Sequence, residues 1–71
     1  MVNIKTTVGQ KIKQFRQKNK LTQESLADLA GIDYKYLQKI EGKNPPDMGI
    51  ILVEKLAKAL KTTPAKLLNP K

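Results

Sequence analysis

The chain of 71 residues contains no cysteine and no histidine. No disulfide or thiolate site can form, and the imidazole that most often moves protons in enzymes is missing. Its one serine, Ser25, has no base near it in sequence. Acids are few, at Glu24, Asp28, Asp33, Glu41, Asp47 and Glu54. Glu24 and Asp28 fall on one helix face, but two carboxylates are too few for a closed metal site and read as solvated surface. No glycine-rich phosphate loop is present. The apolar runs are too short to span a membrane, and the start, MVNIKTTVGQ, lacks the apolar core of a signal peptide. These absences predict a cytoplasmic protein with no catalytic residues, no metal and no cofactor.

What the chain has is positive charge, a net +8. Residues 1–20 hold six basic side chains and no acid, residues 21–42 are net −2, and residues 43–71 are net +4. One reading is a small domain with lysines on its solvated face; the other is a partner that is a polyanion, most simply nucleic acid. Composition alone does not choose between them. The length allows one small domain of modest core.

The stretch Leu21 to Glu41, LTQESLADLAGIDYKYLQKIE, makes the choice. Thr22 is placed to cap a helix, with Glu24 in its first turn where a negative charge suits the dipole. Leu26, Leu29 and Ala30 recur at helical spacing as a buried stripe, and Ala27 beside them is small enough to let a second helix cross closely. Gly31 takes a left-handed conformation freely and ends the helix. Ile32 plugs the turn, Asp33 caps the next helix, and Leu37 and Ile40 form its inner face. Two short helices joined by a turn containing glycine make a helix-turn-helix.

On either side, the pattern predicts three more helices. Residues 1–6 read as a flexible arm. Thr7 and Gln10 form a capping-box pattern that opens the first helix, with Val8, Ile12 and Phe15 inward and Asn19 as its stop. Gly42 to Asp47 is a turn-rich loop. Met48 to Leu60 forms the fourth helix, with Leu52, Val53, Leu56, Ala57 and Leu60 as its core stripe, Ile50 at the stripe's edge and Ile51 on the flank. Thr63 caps the fifth helix, which has Pro64 at its first position and Leu67 and Leu68 closing the core. The expected fold is an all-α compact bundle of five short helices, with the helix-turn-helix domain over 7–68 and a tail at 69–71.

The stretch from Gln23 to Glu41 resembles the helix-turn-helix of the lambda-repressor-like family, the phage repressor and Cro group. The shared features are Gln23 at the start, Ala27 at the fifth position, Gly31 at the ninth, and apolar Ile32, Leu37 and Ile40. Arg16, the only arginine, and Glu41 match a recurrent ion pair of that family. LAKAL at Leu56 to Leu60 matches its fourth helix, so the resemblance runs from Thr7 to Leu68. One departure is that Glu41 and Gly42 are adjacent where the family usually has a residue between them, so the loop KNPPDMG is expected to take its own path.

The resemblance implies a sequence-specific, double-stranded DNA-binding transcriptional regulator, a repressor, associated with the nucleoid. Such proteins act as two-fold dimers on palindromic operators; a weak homodimer through Ile51, Leu67 and Leu68 is expected. It places the second helix of the motif in the major groove. The outer residues there are Tyr34, Lys35, Gln38 and Lys39, the candidate base contacts. Gln38 suits adenine, the lysines guanine, and the Tyr34 ring a thymine methyl. Candidate phosphate contacts are Gln23 at a helix N-terminus, the Tyr36 hydroxyl, and Lys43 and Asn44 in the loop. For each lysine, plain phosphate contact is the alternative. Asp33 is read as a cap and not as a cytosine acceptor. Two rivals remain: a protein-interaction module, such as the partner-binding antitoxin of a toxin–antitoxin pair, and a DNA-binding piece of a longer regulator.

Overall fold

Five helices follow one another in the computed structural model, which describes residues 3–69. They are α1 (Ile4–Lys18), α2 (Gln23–Ala30), α3 (Tyr34–Ile40), α4 (Ile50–Ala59) and α5 (Pro64–Leu68). No strand occurs among the described residues. The architecture is the expected all-α bundle, with α2 and α3 as the helix-turn-helix.

Capping chemistry sets most of the starts. The Thr22 hydroxyl accepts from the Ser25 N–H at 3.0 Å, the Asp33 carboxylate from the Lys35 N–H at 2.8 Å, and the Thr63 hydroxyl from the Lys66 N–H at 3.3 Å. Each supplies a partner for a backbone donor that the first helical turn leaves unpaired. Two starts differ from expectation. The first helix begins at Ile4, because the Asn3 side chain accepts from the Lys5 N–H at 2.8 Å and caps the chain one turn upstream of Thr7. Thr7 is therefore a buried mid-helix residue and not a cap, and Ile4 to Thr6 are helical where an arm was expected. Residues 1 and 2 of that arm, and residues 70 and 71 of the tail, lie outside the described residues. The fourth helix begins at Ile50, after Gly49, which offers no capping side chain; Asp47, upstream, instead pairs with Lys5 at 3.2 Å.

Three of the connections are the same turn. After α1, Leu21 N–H donates to the Arg16 carbonyl and Lys20 N–H to Gln17. After α2, Ile32 donates to Ala27 and Gly31 to Asp28; after α4, Thr62 donates to Ala57 and Lys61 to Lys58. Each is a paired closure of helix carbonyls around one left-handed residue, at φ 59° for Lys20, 69° for Gly31 and 57° for Lys61. In each, the capping residue of the next helix stands two positions beyond the left-handed one. Only Gly31 announces the turn in sequence, since lysine carries no preference for that conformation.

The core gathers Val8 and Ile12 from α1, Leu26, Ala27 and Ala30 from α2, Leu37 and Ile40 from α3, Val53, Leu56 and Ala57 from α4, and Leu60 and Leu67. Three expected core positions fail: Leu29, Ile50 and Leu68. Leu29 is 62% exposed, because the buried face of α2 runs through Leu26, Ala27 and Ala30, and Leu29 lies on the far side of Leu26 from Ala27. Ile50 is 75% exposed at the first position of α4. Ile51 is exposed, as its position on the flank implied, and Leu68 is exposed while Leu67 is fully buried.

Gly9 is a packing residue that periodicity did not reveal. It is buried on α1, where a Cβ would collide with the Ile40 carbonyl oxygen and touch Pro45 Cγ at 3.4 Å. The end of α3 thus rests directly on the α1 backbone, with Pro45 buried beside it. Gly9→Ala should destabilise the domain by roughly 1–3 kcal/mol from overpacking, outweighing the gain of up to about 1 kcal/mol in helix propensity. Thermal denaturation against Gln10→Ala, an exposed neighbour, checks this; equal melting temperatures would show that α3 yields freely at this contact.

Candidate nucleic-acid interface

The outward face of α3 is positioned by a polar junction at the helix's far end. Arg16 of α1 grips Glu41 with both arms of its fork, Nε to Oε2 at 2.8 Å and Nη2 to Oε1 at 2.9 Å. Its remaining Nη1 donates to the Leu21 carbonyl at 2.8 Å, in the turn between α1 and α2. The Leu21 N–H returns a bond to the Arg16 carbonyl, so Arg16 holds that turn from both ends. Gln23, the first residue of α2, donates Nε2 to Glu41 Oε1 at 3.1 Å. With side chains only 12% and 3% exposed, Arg16 and Glu41 form a pair largely removed from water. Such a pair persists only when geometry is good and further hydrogen bonds fill the remaining lone pairs, and both conditions hold here. Sequence alone offered a partner for Arg16 only through family likeness; the part of Gln23 and Leu21 was not foreseen.

Tyr34, Lys35, Gln38 and Lys39 are all exposed on α3, opposite buried Leu37 and Ile40. The Gln38 amide donates to the Tyr34 hydroxyl at 3.0 Å. That leaves Gln38 its carbonyl and a second N–H, the pair an adenine edge requires. Lys43 and Asn44 lie exposed in the loop beyond α3. Tyr36 is half-buried against the core, and its hydroxyl makes a long bond, 3.4 Å, to the Asp47 carbonyl. A phosphate contact from Tyr36 requires exchange of that bond, just as one from Gln23 draws on the donor it does not give to Glu41.

The acids of the motif are arranged so that none occupies the reading face. Glu41 is enclosed by Arg16, Asp33 is engaged at its cap, and Glu24 and Asp28 lie on α2. The net −2 of residues 21–42 therefore conceals a helix, α3, whose exposed side carries two lysines and no carboxylate.

The helix-turn-helix family model matches residues 12–67. This chain belongs to the lambda-repressor-like helix-turn-helix family. Control protein C.SmaI of Serratia marcescens is 33% identical to it over 68 residues, 96% of this chain and 80% of that one. Among solved structures, the restriction-modification controller protein C.AhdI from Aeromonas hydrophila superposes with a TM-score of 0.82 at 32% identity, covering 89% of this chain and 94% of that one. The biofilm regulator SinR, solved in complex with DNA, superposes with a TM-score of 0.83 at 32% identity, covering 87% and 98% respectively.

Arg16 tests the junction. Arg16→Lys keeps the charge but loses the fork and the Leu21 bond, and should lower stability by about 1–2 kcal/mol. Arg16→Ala leaves Glu41 buried and unpaired, a loss of about 3–5 kcal/mol, a large fraction of what a domain this small possesses. Urea denaturation followed by circular dichroism measures both. An unchanged midpoint for Arg16→Lys would mean that the fork adds nothing to the charge.

Proposed function

We propose that this chain is a transcriptional regulator that binds double-stranded DNA with α3 in the major groove and represses by occupying its operator. The observation that carries the proposal is the face of α3 formed by Tyr34, Lys35, Gln38 and Lys39, exposed, free of carboxylates, and fixed in angle by the Arg16–Glu41–Gln23 junction. A rigid helix with three or four polar side chains projecting from it is what base-edge readout needs. That SinR, with the same fold, was crystallised with DNA supports the reading, as do the controller names of C.SmaI and C.AhdI. In this proposal Gln23, Tyr36, Lys43 and Asn44 meet phosphates, and Gln38, Lys35, Lys39 and Tyr34 meet bases. The protein acts in the cytoplasm, at the nucleoid; no helix among the described residues is long and apolar enough to cross a membrane.

Reading and holding are separable. Selection of bound sites from a random duplex pool first supplies the preferred site and its symmetry. Binding should weaken steeply with salt, because lysines displace condensed counterions. Lys39→Ala and Lys43→Ala each remove one charge and should reduce affinity for random duplex similarly. Only Lys39→Ala should also cut the preference for the selected site, by roughly 1–3 kcal/mol. An unaltered preference would move Lys39 to the phosphates; a lost preference in Lys43→Ala would place the loop in the groove.

The operator is read by two copies. Ile51 and Leu68 expose apolar surface in the C-terminal half, joined by Ile50; Leu67 is sealed in the core and contributes nothing. Three exposed side chains offer only a small apolar contact, so the dimer is weak. Sedimentation over a wide concentration range should show association that Ile51→Glu abolishes. A strict monomer that binds a palindromic duplex as a single copy would overturn it.

A further inference from the structure

A second surface, apart from the reading face, lies between α2 and α4. Leu29, Ala30 and Ala59 form the apolar floor of an open groove of about 440 Å³, and Lys55, Lys58 and Lys61 stand around it. Leu29 is 62% exposed. The three lysines recur every third residue, and none has an anionic partner among the described residues. Lys55 and Lys58, one turn apart on α4, oppose one another, and Lys61 beyond the helix holds a left-handed backbone where glycine would be relaxed. An apolar floor ringed by unpaired cations is complementary to an acidic amphipathic segment. It suits a phosphate backbone poorly, since Leu29 and the two alanines of the floor offer it no side-chain donor.

We propose that this groove docks a short acidic amphipathic helix of a protein partner, one apolar side chain seated on Leu29, Ala30 and Ala59 and its carboxylates on Lys55, Lys58 and Lys61. The site uses none of the α3 residues, so a partner held there leaves the DNA-reading face open.

The test uses the full chain, isotopically labelled, and a synthetic glutamate-rich helical peptide with leucines at alternating three- and four-residue steps. A second peptide with serine for leucine and a DNA duplex serve as comparisons. The leucine peptide should shift the amide resonances of Leu29, Ala30, Lys55, Lys58 and Lys61, and the serine peptide should bind more weakly. Leu29→Gln and Lys58→Glu should each weaken the leucine peptide by about tenfold, with Leu29→Gln leaving duplex affinity unchanged. Lys61→Gly should melt higher than the parent, because the left-handed turn relaxes, and yet bind the peptide less well, which separates a binding role from a structural one. Equal binding of the two peptides, shifts centred on α3, or a loss in Lys58→Glu that falls on the duplex as heavily as on the peptide would each overturn the assignment.

Discussion

The structure depends on a carboxylate that stands where a carboxylate is least welcome. Glu41 ends α3, and the C-terminus of a helix already carries partial negative charge. It is also 97% shielded by its neighbours, the side chain being 3% exposed. Both circumstances demand compensation, and three donors supply it: two N–H groups of Arg16 and one of Gln23. Those donors belong to α1 and α2, and the third arm of Arg16 ties the turn between them. A single buried anion thus fixes three helices against one another. An apolar junction of similar volume would often hold them at least as strongly, but apolar contact is non-directional. The fork and its hydrogen bonds fix angle as well as distance, and a helix that reads base edges must have its angle fixed.

The same economy of acids explains how a motif of net −2 presents a cationic helix. Asp33 satisfies the first turn of α3, Glu41 is enclosed, and Asp47 pairs with Lys5 near the start of α1. The acids that remain, Glu24 and Asp28 on α2 and Glu54 on α4, lie on other helices. Charge at the reading face is therefore set by which carboxylates have internal duties and not by the local sum of residues.

Features governed by local chemistry were legible in the sequence. Thr22, Asp33 and Thr63 cap as expected, because a side-chain oxygen two or three residues from an unpaired N–H needs no tertiary information. Gly31 was legible because its conformation is costly for other residues. The four outer residues of α3 followed once Leu37 and Ile40 were placed inside. What escaped depended on which neighbour lay where. Leu29 has helical spacing with Leu26, but spacing does not say on which side of Leu26 the partner helix crosses. Gly9 looks like a weak spot in a helix until the end of α3 is laid across it. Thr7 carries the capping-box pattern with Gln10, yet the helix is capped at Asn3, in a stretch read as an arm, where the side chain accepts from the Lys5 N–H. The bond from Gln23 to Glu41, 18 positions away, exists only once the fold brings α2 to the end of α3.

The three repeated turns show how such a small domain accommodates both constraint and use. Each needs one left-handed residue, then one that turns inward, then a cap. Gly31, Ile32 and Asp33 meet all three demands without conflict, with Ile32 packed on the core. The turn after α1 has Lys20 in the strained place and Leu21 inward. The turn after α4 departs twice: Lys61 is left-handed, and Thr62 occupies the inward position with its hydroxyl buried and lacking any hydrogen-bond partner. A buried unpaired hydroxyl and a left-handed lysine each work against stability by about 1 kcal/mol or more. Both sit in the turn that borders the α2–α4 groove, away from the central motif. The helix-turn-helix itself carries the relaxed version of the turn, as it must if α3 is to be held at one angle. The less favourable version falls where Lys61 lines the groove with Leu29, so the strain sits outside the motif that fixes α3.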